Sequence, residues 1–119
     1  MDELVARIVA SVGVDQTIAE RAVGIILDFL ATEGPADDVQ KLFAQLPGSA
    51  GAAEAAHDAG GSGMFGGIMG VGSRLMAAGL GMGEIQGVTR ELIAFAREKA
   101  GSDRVDAVVG AIPGLGQFV

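Results

Sequence analysis

The chain has 119 residues, a length that favours a single domain with one hydrophobic core. It has no cysteine, which excludes disulfides and thiolate metal sites, and its formal net charge of −7 disfavours binding to nucleic acid or to anionic lipid. Its only aromatic residues are five phenylalanines, so the core must consist mainly of Val, Ile, Leu, Ala and Met. The acidic start at Asp2 and Glu3 lacks the basic and apolar regions of a secretory signal, so we expect a cytoplasmic protein.

The first part of the chain predicts two amphipathic helices. Apolar residues at helical spacing predict a helix over Asp2–Val12, and Gly13 follows where a left-handed capping residue belongs. Either Asp15 or Thr17 can cap the second helix, because Thr17 and Glu20 have the spacing of a capping box. We expect that helix to end at Gly34-Pro35. Its predicted buried residues are Ile18, Ala22, Ile25, Ile26, Phe29 and Leu30.

A third predicted helix is followed by a segment with little apolar pattern. Asp37 and Asp38 lie in the first turn of this helix, where carboxylates favour the helix dipole, and Pro47-Gly48 ends it. Its predicted buried residues are Val39, Leu42, Phe43 and Leu46. Residues 49–63 consist mainly of Ala and Gly, a composition typical of either a flexible connector or a weak helix.

Residues 64–119 predict three more helices, the last of which Ser102 can cap and Pro113-Gly114 ends. A short apolar tail over residues 115–119 follows. The apolar residues of the fourth helix are Met64, Ile68, Leu75 and Met76; those of the fifth are Ile85, Val88, Leu92, Phe95 and Ala96; those of the sixth are Val105, Val108, Val109 and Ile112. No alternating run is long enough to predict a strand.

The two halves of the chain resemble each other when they are offset by 66 residues. Residues 26–48 then align without a gap on residues 92–114, with five identities. The identical pairs are Phe29/Phe95, Asp37/Asp103, Val39/Val105, Pro47/Pro113 and Gly48/Gly114. These positions are helix ends, a first-turn acid and core positions, which set the path of the backbone. We therefore predict an all-α fold, a compact bundle of about six helices formed by a duplicated three-helix unit with pseudo-twofold symmetry.

In this prediction the single domain consists of a first unit over residues 1–48, a connector over residues 49–63 and a second unit over residues 64–119. The alternative is that two unrelated helical hairpins have converged on similar turns.

A stretch of the first half also resembles a known family. It begins at Ala22-Val23, passes Phe29-Leu30 and ends in Leu42-Phe43-Ala44-Gln45-Leu46-Pro47. In this it is similar to a family of small bacterial proteins of unknown function, in which a helix with an Ala-Val start precedes a Leu-x-x-Gln-Leu-Pro ending. The glycine-rich centre of the chain departs from that pattern. The resemblance implies a helical bacterial domain and supplies no activity.

The sequence offers little that could carry catalysis. His57 is the only histidine, and we expect it in a solvated loop, so one chain cannot assemble a histidine-based triad or a multi-histidine metal site. The acidic pairs Asp37/Asp38 and Asp103/Asp106 could act in acid–base chemistry, but helix capping explains their places in first turns better. The glycines lack the lysine motif of a phosphate-binding loop. We predict no enzyme, no cofactor, no metal and no catalytic residue.

The glycine- and methionine-rich segment over residues 63–83 is the unusual feature. Gly66 and Gly70 have the small-x-x-x-small spacing that lets helices approach closely. The segment could be a packed core or dimer helix, a membrane-inserted segment, or a mobile loop over a ligand. Arg74 near its middle weighs against the membrane. The candidate interaction or apolar-ligand residues are Met64, Phe65, Gly66, Ile68, Met69, Gly70, Leu75 and Met76.

These features favour a non-catalytic protein that self-associates or binds another protein, with a homodimer as the simplest partner. The alternative is a carrier of a small apolar ligand or lipid in a Met/Phe-lined cavity between the two units. We expect no nucleic-acid binding, because the helices that would enter the major groove begin with Asp37 and Asp103.

Overall fold

The computed structural model describes the backbone of residues 2–60 and 67–112, and the side chains of residues 2–56 and 70–112. These ranges contain seven α-helices and no strand, so the fold is all-α as predicted. The helices are α1 (Asp2–Val12), α2 (Gln16–Glu33), α3 (Ala36–Ala44), α4 (Ser49–Gly60), α5 (Gly67–Ala77), α6 (Met82–Ala100) and α7 (Ser102–Ala111). The predicted tail over residues 115–119 and its Pro113-Gly114 turn lie outside the described residues.

The first two helices begin and end close to the predicted residues. Helix α1 has the predicted bounds, and Gly13 has a φ of +84°, the left-handed conformation expected of its capping position. Helix α2 ends at Glu33, directly before Gly34. Its N-cap is Asp15, whose side chain makes no capping hydrogen bond. Thr17 lies inside the helix, so the predicted capping box is wrong.

Helix α2 is the centre of the fold. Every residue from 22 to 30 is buried, and the helix packs against α1, α3, α4, α5 and α6. The predicted apolar stripe covers only part of this surface, because neighbours surround the middle of the helix on all sides. The sequence Gly24-Ile25-Ile26-Leu27-Asp28 thus lies wholly within the protein interior.

The Ala/Gly-rich connector forms helix α4, which raises the number of helices from the predicted six to seven in the described ranges. It lies directly on α2 where both helices have small residues. A Cβ atom added to Gly24 would lie 3.0 Å from the carbonyl oxygen of Ala52 and 3.2 Å from Cβ of Ala56. Residues 49–60 have no strong apolar pattern of their own, so close packing against α2 helps to stabilise α4. The backbone of His57 belongs to this helix and not to the predicted loop.

The second half of the chain forms α5, α6 and α7. Part of the glycine-rich segment forms α5, which packs on α2 and α6, and Gly79 after it has a φ of +108°. Helix α6 buries all five of its predicted core residues. Helix α7 has Gly101 at its N-cap, with a φ of +91°, so the predicted cap Ser102 is instead the first helical residue.

Helix α1 lies across α6, and charged side chains border this contact. Nη1 of Arg7 donates a hydrogen bond of 2.7 Å to Oε2 of Glu98, and this bond raises the pKa of the guanidinium. Nζ of Lys99 lies 3.7 Å from Oε2 of Glu3. Both cations also lie over the buried ring of Phe95, at 5.7 Å for Arg7 and 5.4 Å for Lys99. These interactions hold α1 against α6.

Candidate functional site

The most unusual residue of the interior is Asp28. It lies in the middle of α2, between apolar residues that are all buried, and only 6% of its surface is exposed. A carboxylate in such a place is costly unless charged or hydrogen-bonding groups compensate it. The structure supplies a compensating group from α5.

That group is the guanidinium of Arg74. Its Nη1 donates a hydrogen bond of 2.9 Å to Oδ2 of Asp28, and its Nη2 donates one of 3.0 Å to the carbonyl oxygen of Ala56. One side chain therefore connects α5 to both α2 and α4. Its Nε is covered and makes no hydrogen bond within the part of the chain that the structure describes. Arg74 retains hydrogen-bonding capacity beyond its two bonds.

Neither member of this pair was among the site residues predicted from the sequence. The sequence does mark both residues as unusual. Asp28 is the only charged residue in the apolar run over residues 25–30, and Arg74 is the only charged residue in residues 63–83. Charges inside apolar segments are usually paired when they are buried. The sequence alone could have suggested their pairing, although they are 46 residues apart.

A cavity of about 800 Å³ lies beside this pair, between α1, α2, α4 and α5. Its walls are mostly small or branched apolar residues. They are Val5, Val23, Gly24, Ile25, Ala52, Ala55, Ala56, Ala77 and Ala78. The space exists because α4 and α5 present alanines where longer side chains would fill the gap between the helices. Its opening to solvent includes exposed residues from α1 and the start of α2.

Five polar residues complete the lining. Asp2, Thr17, Glu20 and Arg21 are exposed, whereas Arg74 is mostly buried, with 18% of its side chain exposed. Arg74 bonds to Asp28 in the middle of α2, whereas the exposed lining residues of α2 lie near the start of that helix. The cavity thus combines apolar walls, an interior hydrogen-bond donor and a charged opening.

The predicted site residues are not brought together at this cavity. Met64, Phe65 and Gly66 lie outside the described residues, as do the side chains of Ile68 and Met69 on α5. Gly70 is buried, Leu75 is 1% exposed and Met76 is 50% exposed. The lining residues from α5 and the turn after it are instead Arg74, Ala77 and Ala78. No described residue of the lining is Met or Phe, so the lining differs from the predicted one.

The described residues supply neither a metal site nor a membrane-spanning helix. Among residues 2–56 and 70–112, no group of three or more His, Asp or Glu side chains is placed to hold a metal ion. Within residues 2–60 and 67–112 no helix combines the length and the apolar character needed to cross a bilayer. Arg97 on α6 pairs with Asp106 on α7, with Nη2 and Oδ1 2.9 Å apart.

Comparison with models of protein families, with curated protein sequences and with solved structures finds no match. The resemblance to a small bacterial helical family therefore stays a prediction.

Proposed function

We propose that this protein is a non-catalytic carrier of a small apolar molecule, which it binds in the cavity between α1, α2, α4 and α5. The observation that carries the proposal is the cavity itself, whose volume of about 800 Å³ falls in the usual range for ligand sites. Its walls come mainly from Val, Ile and Ala, which suit an apolar ligand. We expect no catalysis, no cofactor and no nucleic-acid binding from it.

Self-association is the second candidate, and one observation favours it. Among the described residues, Met76 and Met82 are the large apolar side chains that remain exposed, at 50% and 53%. They lie on either side of the turn from α5 to α6, and methionine adapts well to a partner surface. Gly70 is already buried inside the chain's own fold, so it offers no free surface to a second helix.

Sedimentation equilibrium tests this second candidate. If a homodimer forms through the two methionines, a variant with Met76→Lys and Met82→Lys will be monomeric at concentrations where the wild type is dimeric. A wild type that stays monomeric at millimolar concentration would reject the homodimer.

We also propose that the bundle is a duplicated three-helix unit with pseudo-twofold symmetry, connected by α4. In support, α5, α6 and α7 begin 65 or 66 residues after α1, α2 and α3. Gly13 and Gly79, at equivalent places, both have positive φ. The packing is also reciprocal, since α1 lies against α6 and α5 lies against α2. Poor superposition of residues 16–44 on residues 82–110 in an experimental structure would reject the duplication.

The difference between the two units supports the assignment of the site. All seven buried residues of α6 are equivalent to buried residues of α2. The three further buried positions of α2 are Gly24, Ile25 and Asp28. Gly24 packs against α4, Ile25 lines the cavity, and Asp28 bonds to Arg74. The equivalent positions of α6 hold Arg90, Glu91 and Ala94, which suit contact with water. The cavity thus belongs to the face of α2 that has no apolar counterpart on α6.

Titration with the uncharged fluorescent probe N-phenyl-1-naphthylamine tests the carrier function. Its emission rises when it leaves water, so the wild type should give a saturable increase. Ala55→Leu and Ala77→Leu should each reduce the affinity at least tenfold, because the added side chains occupy the cavity. Both alanines are exposed towards its space, so leucine can be accommodated without displacing the core.

Ala94→Leu is the matched control. Ala94 is likewise an exposed helical alanine, but it does not line the cavity. It should leave the affinity for the probe unchanged. An absent fluorescence increase in the wild type, or equal affinities in all four proteins, would refute the carrier function.

A further inference from the structure

Arg74 can offer a ligand hydrogen-bond donors only. A guanidinium carries five N–H donors and no acceptor. The bonds to Asp28 and to the carbonyl oxygen of Ala56 use two of these donors. The side chain lines the cavity and retains some exposure. A polar group of a ligand that reaches Arg74 must therefore be a hydrogen-bond acceptor.

The charged groups around the cavity give it no net positive charge. Among the described residues around the cavity, the cations Arg21 and Arg74 are opposed by the carboxylates of Asp2, Glu20 and Asp28. The guanidinium that could meet a ligand is already balanced by Asp28 at 2.9 Å. An anionic ligand would lose hydration without meeting a net positive charge. A cationic ligand would find donors at Arg74 where it needs an acceptor.

From these observations we infer that the bound molecule is an uncharged amphiphile, with an apolar chain and, near one end of it, an oxygen that accepts a hydrogen bond from Arg74. A ketone, an ester and an ether belong to this class, whereas a fatty-acid anion does not. The inference rests on the proposed function, because it assigns the ligand class of the same cavity. It also gives the buried ion pair a role, since Asp28 holds the guanidinium in place and neutralises it.

Four molecules of matched chain length test the ligand class. They are 2-undecanone, undecane, undecanoate and undecylamine, each used at neutral pH to displace N-phenyl-1-naphthylamine from the wild-type protein. The ketone should bind at least tenfold more tightly than undecanoate and than protonated undecylamine, because it keeps the hydrogen bond and has no charge to desolvate. This ranking needs no variant.

A variant separates the hydrogen bond from the general apolar contact. Asp28→Ala/Arg74→Ile places in this unit the residues found at the equivalent positions of the other unit, Ala94 and Ile8. The ratio of ketone affinity to undecane affinity should fall roughly three- to tenfold, the effect of one hydrogen bond. Because both ligands are compared in both proteins, their different solubilities cancel. Asp28→Ala/Arg74→Met removes the same donors with a longer apolar side chain that fills more of the space of the guanidinium, and it serves as a second variant if the first fails to fold.

The outcomes distinguish this inference from the proposed function. If undecanoate binds as tightly as 2-undecanone, or if the ketone-to-undecane ratio is the same in the wild type and in the folded variants, the inferred ligand class is wrong and the carrier function stands. If the wild-type protein binds neither N-phenyl-1-naphthylamine nor any of the four molecules, the carrier function itself is wrong.

Discussion

Asp28 on α2 and Arg74 on α5 form a buried ion pair, with Oδ2 of the carboxylate 2.9 Å from Nη1 of the guanidinium. Their side chains are only 9% and 18% exposed. The same guanidinium bonds to Ala56 of α4, so three helices meet at one side chain. The stability of the fold and the polarity of the cavity therefore depend on the same two residues.

Loss of one member of the pair should be more harmful than loss of both. Arg74→Ile leaves the carboxylate of Asp28 in a desolvated place without this guanidinium, which should lower the free energy of unfolding by about 3 kcal/mol. Asp28→Ala/Arg74→Ile removes both charges and should cost less than Arg74→Ile alone. Urea unfolding of the wild type, the two single variants and the double variant measures the coupling.

The coupling free energy shows whether Asp28 and Arg74 stabilise the fold as a pair. If the effects of the two single substitutions simply add in the double variant, the pair contributes nothing as a pair. Circular dichroism of each variant before unfolding confirms that the measured free energy refers to a folded helical protein.

Two helical glycines should respond in opposite directions to alanine, because Gly24 lies at the contact between α2 and α4 whereas Gly51 is exposed on α4. At Gly24 the new Cβ atom would lie 3.0 Å from the carbonyl oxygen of Ala52, so Gly24→Ala should push α4 outward and cost about 1–2 kcal/mol. At Gly51 on α4 nothing lies within 4 Å of the added atom. Gly51→Ala should therefore increase stability by about 0.5 kcal/mol through helix propensity.

Thermal unfolding of these two variants gives the comparison. A Gly24→Ala variant as stable as Gly51→Ala would contradict the close packing of α4 on α2, because the general preference of helices for alanine is the same at both positions.

The two neighbouring candidate residues Leu75 and Met76 should differ sharply. Leu75 is 1% exposed, so Leu75→Ala should cost about 2–5 kcal/mol by leaving a void in the core. Met76 is 50% exposed, so Met76→Ala should change the free energy of unfolding by no more than about 0.5 kcal/mol. Chemical denaturation separates the two effects, and similar losses at both positions would show that α5 is rotated relative to the arrangement described.

Local patterns predicted much of the backbone. The apolar spacing of α1 and the glycine after it gave the bounds Asp2–Val12 and the left-handed Gly13, because both depend on neighbouring residues alone. The caps were less predictable. Asp15 and Ser102 have the residue types of N-caps, yet Asp15 makes no side-chain capping bond and Gly101 precedes α7 instead.

The site depended on contacts between distant parts of the chain. Helix α4 has no strong apolar pattern, and its position follows from small residues that meet Gly24 on α2. The cavity likewise results from alanines on two different helices, such as Ala55 on α4 and Ala77 on α5. Periodicity within one segment predicts its buried face and not which other segment will leave space beside it.

The most direct test of the carrier function is a methyl NMR titration of the wild-type protein with 2-undecanone. Methyl groups of Val5, Val23 and Ile25 line the cavity and should shift saturably, whereas those of Val105 and Val108 in the core at α7 should stay in place. Absence of saturable shifts, or equal shifts at Val105 and Val108, would contradict a ligand site between α1, α2, α4 and α5.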